Sequence, residues 1–310
     1  MELIPWSHDC AEHFTLRGWR SPASGKPLLH FIHGTGFCCL AYQPLLERLA
    51  EHFDLWLCDV QGHGDSDHGG AFVGWNRSAA LAIEAFQAGR GEYGQVACFA
   101  MGHSFGGVLT GLMLALQPGL FQRAVLLDPV VFSRSMLGVM SVATLFGMHR
   151  RHGLARKAAT RRSHWPDREA AYAALHGRGI FKGWHDEALQ AYVDHAIGDC
   201  GEGVVLKCRP AREVDVFSSF PRGLWAALAQ VQTPARVLHG ITTYPFVPVS
   251  LARWARLNPR VELREVPGGH CFMQEDPQAC AHEVQTYLLA DGRLSISRRI
   301  LARTLANANR

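Results

Sequence analysis

The sequence predicts an α/β fold: a mostly parallel, doubly wound sheet with one inserted helical segment. Three observations carry this. Runs of four to seven residues, largely apolar, recur along the chain, as strands buried on both faces require. Each run ends in glycine or polar turn residues and hands over to a helical pattern, the rhythm of βαβ units. That rhythm stops once, between about Phe132 and Arg222, and then resumes. A chain of 310 residues that is 48% hydrophobic and 19% charged can build a large core. It lies below the ~25% charge of an average globular protein, which excludes a disordered chain. The 31 glycines have no three-residue period, which excludes a collagen-like rod.

The elements follow in order. Leu28–Ile32 reads as a strand running into HGTGF (33–37), with a helix over Tyr42–Glu51. Leu55–Val60 is the next strand and runs into QGHGDS. A helix covers about Asn76–Ala88. Val96–Met101 enters GHSFGG (102–107), followed by a helix to about Leu116. Ala124–Leu127 ends at Asp128. The next ninety or so residues are helical in composition with no convincing buried strand, and read as an insertion at one edge of the sheet. Ala235–Leu238 ends at HG, and Val261–Val266 ends at PGGH (267–270). The expected organisation is a core of residues 1–132 and 223–290, a helical insertion over 133–222, and a basic tail over 291–310.

The net charge of +4 is too mild to argue for nucleic acid. Its placement is more informative. Seven Lys or Arg stand against one acid, Asp167, between Arg150 and Arg168, and five Arg stand against Asp291 in the tail, so the rest is net acidic. A solvated helix face is the ordinary reading of such a run; an acidic substrate, a phosphate-bearing acyl carrier or a membrane surface is the functional one. Nine cysteines without a CxxC pair give no support to a zinc or thioredoxin-like site. They read as reduced thiols of a cytoplasmic protein. No apolar run reaches the ~18–20 residues of a membrane span, and MELIPWSHDC is not a signal peptide. No metal or other cofactor is expected. Oligomeric state is not legible.

The strongest chemical signal is Gly102-His103-Ser104-Phe105-Gly106, after a strand and opening a helix, the setting of a nucleophile elbow. The turn is so sharp that side chains two residues either side of the serine would clash. Ser104 is then exposed above the sheet edge, at the positive end of a helix dipole. A serine hydroxyl needs a base. Of 17 histidines, His270 sits on the loop after the last strand, at the carboxyl end of the sheet where α/β proteins place their chemistry. His33, His63 and His239 read as hydrogen-bonded loop residues, and His103 points away from its neighbour. The base needs an orienting carboxylate. The loop after the next-to-last strand, LHGITTYP (238–245), has no acid, whereas LLDP (126–129) places Asp128 at a strand end; Asp128 is chosen by position and elimination. Glu275 and Asp276 read as caps of the next helix. For the oxyanion, the backbone amides of Phe105 and Thr35 are the expected donors, Thr35 ahead of Gly36 and Phe37.

These segments, HGTGF, DVQGHGDS (59–66), GHSFGG, LLDP and PGGH, resemble the α/β-hydrolase superfamily, and within it bacterial serine esterase-like members with a helical lid. The resemblance covers about residues 28–132 and 223–289. It implies Ser104 as nucleophile, His270 as base and Asp128 as acid, with DVQGHGDS structural and Gln61 where an arginine is usual. Haloalkane dehalogenases and epoxide hydrolases share the fold but call for aspartate at the elbow, where this chain has Ser104. The expected activity is hydrolysis of carboxylic esters through an acyl-enzyme. Thioesterase, acyltransferase or C–C bond hydrolase chemistry is the alternative on the same residues, and a non-enzymatic receptor the third. The expected partner is a small acyl substrate, anionic or apolar-chained, with no nucleic acid, no transmembrane segment, and peripheral membrane contact left open. MLGVMSVATLFGM (136–148) is expected either as a pocket wall or as core of the insertion.

Overall fold

The computed structural model describes residues 1–148, 150 and 153–290; the expected basic tail and Arg151 of the basic run lie outside the described residues. The chain opens with a hairpin, β1 (Ile4–Cys10) and β2 (Phe14–Arg20). Then come β3 (Leu28–Ile32), α1 (Gln43–Ala50), β4 (Asp54–Asp59), α2 (Trp75–Gly89), β5 (Cys98–His103), α3 (Phe105–Leu116) and β6 (Arg123–Leu127). An insertion follows: α4 (Arg134–Leu145), α5 (Gly153–Ala159), β7 (His164–Trp165), α6 (Arg168–Leu175), α7 (Asp186–Ala196), β8 (Ile197–Cys200), β9 (Gly203–Leu206) and α8 (Pro210–Phe217). The core closes with α9 (Leu224–Gln230), β10 (Ala235–Gly240), α10 (Phe246–Leu257), β11 (Val261–Val266), α11 (Phe272–Glu275) and α12 (Pro277–Leu288).

Eight strands form one sheet in the order β1-β2-β4-β3-β5-β6-β10-β11. It is parallel from β4 to β11, and antiparallel only where β1 meets β2 and β2 meets β4. The two-residue period of the central strands splits their side chains between two cores. In β3, Leu29 and Phe31 join one core with Leu45, Leu49 and Val284. Leu28 and Ile32 join the other with Phe86, Leu109 and Trp254. A strand buried on both faces is apolar at nearly every position, which is why these strands are legible as runs.

Two parts of the fold depart from the sequence expectation. The hairpin β1–β2 is not among the expected strands, because β1 is exposed or half-buried except at Cys10, β2 alternates buried with half-buried residues, and the pair lies at the sheet edge. The insertion is not purely helical: β7, β9 and β8 form a small antiparallel sheet. Its apolar positions also alternate, with Val204 and Leu206 buried in a strand of four residues, too short a pattern to stand out between helices. The nine cysteines are unpaired, and no helix among the described residues is long and apolar enough to cross a membrane.

One buried side chain makes stability pH-dependent. His30 of β3 is fully buried against Phe86 and Phe121, and neither ring nitrogen meets a hydrogen-bond partner among the described residues. Burial pulls its pKa down to about 3. Above pH ~6.5 the ring is neutral in both folded and unfolded chains and contributes no pH dependence. Below that, the unfolded chain takes a proton that the folded chain refuses, so stability falls with falling pH, by up to about 1.4 kcal/mol per pH unit for each such histidine. His30→Phe is therefore expected to shallow the decline of urea-unfolding free energy between pH 6 and 4.5 by about that slope. Parallel declines in wild type and variant would mean that the native state protonates His30.

Candidate active site

Ser104 sits between β5 and α3 with φ 55° and ψ −115°, a backbone strain that L residues adopt only when the surroundings impose it. The flanking glycines are a steric necessity. A Cβ on Gly102 would stand 2.4 Å from the Gly106 carbonyl oxygen, and one on Gly106 would stand 2.3 Å from that of Ile32. The elbow is tied to the sheet by the Ser104 amide, which donates to the Leu127 carbonyl at 3.0 Å.

Three of the expected residues converge across 166 residues of sequence. The Ser104 hydroxyl lies 2.9 Å from His270 Nε2, and His270 Nδ1 lies 2.6 Å from Asp128 Oδ2. With Nδ1–H donating to the carboxylate, the neutral ring presents Nε2 as an acceptor to the serine. Asp128 itself is fully buried. An isolated buried carboxylate is costly, but this one accepts from three donors: the His270 ring, the Gly240 amide at 3.0 Å and the Thr243 hydroxyl. Sequence reasoning missed Thr243 as a functional residue. The signal was present: the loop after β10 lacks an acid but offers a hydroxyl at the place where it faces the carboxylate from β6.

The His270 loop is braced on two further sides. Glu275 accepts from the Gly269 amide at 2.9 Å, so it holds the loop and does not cap α12; Asp276 is the cap, accepting from the Ala279 amide. His103 is not a bystander to the loop either. Its Nε2 lies 3.0 Å from the His270 carbonyl, and its Nδ1 lies 2.6 Å from the Tyr42 hydroxyl, which in turn accepts from the Gly34 amide. Burial, and then the nearby His270, hold the His103 ring well below the usual imidazole range, so it is neutral. His33 and His63 are likewise buried and pushed down by burial first; His33 accepts from the Val60 amide. Gln61 secures its own loop through the His68 and Ala71 carbonyls and the Val73 amide.

A comparison of the sequence with protein families matches residues 31–283 to the model described as "Alpha/beta hydrolase family". The chain belongs to that family. Among curated proteins it is similar to mouse monoglyceride lipase, 28% identical over 144 residues that span 43% of this chain and about half of the lipase, 46%. It is also similar to an abhydrolase domain-containing protein of Alternaria alternata, 25% identical, spanning 62% of this chain and 82% of the relative. Among solved structures, E-2-(acetamidomethylene)succinate hydrolase superposes with a TM-score of 0.75 at 20% identity, over 93% of this chain and all of the other. A thioesterase domain from the curacin biosynthetic pathway gives 0.70 at 17%, over 92% and 100%. These structural likenesses concern the fold.

The family's elbow here opens into a cavity of about 480 Å³. Its floor comes from the core, with Trp75, Phe132 and Phe246, and its roof from α4, with Met136, Val139 and Met140. No residue of α4 is buried, so the 136–148 run forms a wall of the cavity and not core of the insertion. Thr35 lines the cavity beside Ser104, within a turn closed by the Phe37 amide donating to the Gly34 carbonyl. Phe105 is the first residue of α3, a position whose amide has no intrahelical acceptor. Three cations of the basic run are committed to ion pairs. Arg161 pairs with the buried Glu213 and donates to Tyr192; Arg168 pairs with Asp199 and Arg150 with Asp215.

Proposed function

We propose that this chain is a serine hydrolase that cleaves carboxylic esters through an acyl-enzyme. The carrying observation is the continuous hydrogen-bonded line from Ser104 through His270 to Asp128, with the serine on a strained elbow at a helix N-terminus. Ser104 Oγ attacks the ester carbonyl carbon while His270 Nε2 takes its proton. Asp128 holds the ring in the required tautomer and stabilises the imidazolium. The amides of Phe105 and Thr35 receive the oxyanion, aided by the dipole of α3. His270 then passes the proton to the departing alcohol, and the ester becomes an acyl group on Ser104. Water attacks that acyl carbon as His270 takes its proton, and collapse returns the proton to Ser104 and releases the acid. The insertion acts as a lid: α4 roofs the serine and keeps bulk water from it. A lipase and a thioesterase domain among the similar proteins fit acyl transfer to a serine.

The test is chemical. A fluorophosphonate probe is expected to add a single phosphonyl group to Ser104, read by peptide mass spectrometry, with parallel loss of turnover on p-nitrophenyl butyrate. Labelling elsewhere, or loss of turnover without Ser104 labelling, would overturn the assignment. Thioester substrates run beside the oxygen esters decide which of the two bonds is cut faster.

A further inference from the structure

The cavity over Ser104 bears on what the site accepts. Resting on the ester-hydrolase reading above, we infer that the substrate carries an uncharged hydrocarbon group that fills this cavity, and that the site rejects the same group bearing a carboxylate. Its roughly 480 Å³ are walled by aromatic and aliphatic side chains. Among the described residues that line it there is no Asp, Glu, Lys or Arg; besides Ser104 the polar groups are the hydroxyls of Thr35, Ser135, Ser218 and Tyr244, and the imidazoles of His103 and His270. Burial keeps the His103 ring neutral, and the His270 ring is engaged with Ser104 and Asp128. Two cations of the insertion are held in ion pairs, Arg161 with Glu213 and Arg150 with Asp215. Among the described residues of the lining, a carboxylate inside this cavity would therefore meet no fixed countercharge.

Physical chemistry turns that into magnitudes. Each methylene moved from water into an apolar enclosure is worth a factor of about four, so kcat/KM rises by about that factor per carbon until the cavity is full. A carboxylate has a cheaper route in than entering charged: it enters protonated. For a carboxyl of pKa about 4.3 the neutral fraction at pH 7 is about one in 500. A terminal carboxyl is thus expected to cost about 500-fold at pH 7 and about 50-fold at pH 6, a tenfold relief per pH unit that a charge-tolerant pocket would not show.

The experiment uses the full chain and two ester series, p-nitrophenyl alkanoates from acetate to dodecanoate and alkyl acetates of the same lengths. One of the two is expected to show the per-carbon rise. The charge test is p-nitrophenyl hexanoate against p-nitrophenyl hydrogen adipate at pH 6 and 7, or the matching pair of acetates where the alcohol side shows the rise. Met140→Arg, on the exposed helix α4 with its side chain at the cavity, is expected to speed the carboxylate ester at least tenfold and slow the neutral one. A flat length dependence in both series, or discrimination under tenfold at pH 7, would overturn the inference while leaving the serine chemistry standing. Should Ser104 fail to react with fluorophosphonate, calorimetric titration of Ser104→Ala with methyl hexanoate and monomethyl adipate still reads the cavity. Preferential binding of the neutral methyl hexanoate supports the inference, and equal binding overturns it.

Discussion

Ser104→Ala is expected to lower kcat for a p-nitrophenyl ester by about 10⁶, the scale on which a triad enzyme loses its nucleophile. The substitution removes one oxygen and leaves the elbow intact. The glycines at 102 and 106 that permit the turn are untouched, and the Ser104 amide keeps its bond to the Leu127 carbonyl. The side chain is nearly buried and its polar partner is His270, so the variant should fold with a melting temperature close to that of wild type. Initial rates on the purified variant, with its melting curve alongside, check both halves. Residual activity within tenfold of wild type would remove Ser104 from the nucleophile's role, because no activated group besides it stands at the end of the His270–Asp128 line.

The parts of the site that were legible in the sequence are those fixed by local backbone geometry. The elbow was readable because its turn excludes side chains at 102 and 106. His270 was readable because a loop at the carboxyl end of the last strand has few places to go. The central strands were readable because burial on both faces leaves few polar positions, such as His30 in β3. What the sequence hid were pairings between distant loops. Thr243 meets Asp128 across 115 residues, and Tyr42 meets His103 across 61; nothing local in either segment announces a partner. Glu275 was read as a helix cap, yet its carboxylate turns back to Gly269, since the single turn of α11 brings residue 275 beneath the loop. The edge hairpin and the three short strands of the insertion were missed because many of their side chains are exposed or half-buried, which breaks up the apolar run.

The basic run between Arg150 and Arg168 reads first as a solvated face and second as a site for an anionic partner; among its cations, Arg161 is drawn inward. Burial disfavours its charge, while Tyr192 and Glu213 outweigh that and hold the guanidinium firmly protonated. Tyr192 also donates to the Gly36 carbonyl, so this ion pair ties the insertion to the loop that carries Thr35. Its cationic charge thus serves the placement of a backbone loop, and the cavity is left to apolar side chains.

Asp128→Asn is expected to lower kcat by about 10⁴, with the fold preserved. The carboxamide oxygen can still accept from the Gly240 amide, and the new NH₂ can donate to the Thr243 oxygen, so the buried polar atoms stay paired. The damage is to the histidine. An amide nitrogen facing Nδ1 needs an acceptor there, which moves the ring proton to Nε2, and an Nε2–H cannot take the proton of Ser104. Thr243→Val tests the same carboxylate from the other side: it deletes one of three donors and should cost about tenfold, the scale of a single hydrogen bond to a charged group. Steady-state kinetics across pH 6–9 checks both variants. Retention of activity within a few-fold in Asp128→Asn would mean that another carboxylate orients His270. Glu275 is the nearest acid on the same loop, but it is engaged with the Gly269 amide, and turning it toward the ring would release the brace that positions His270 in the first place.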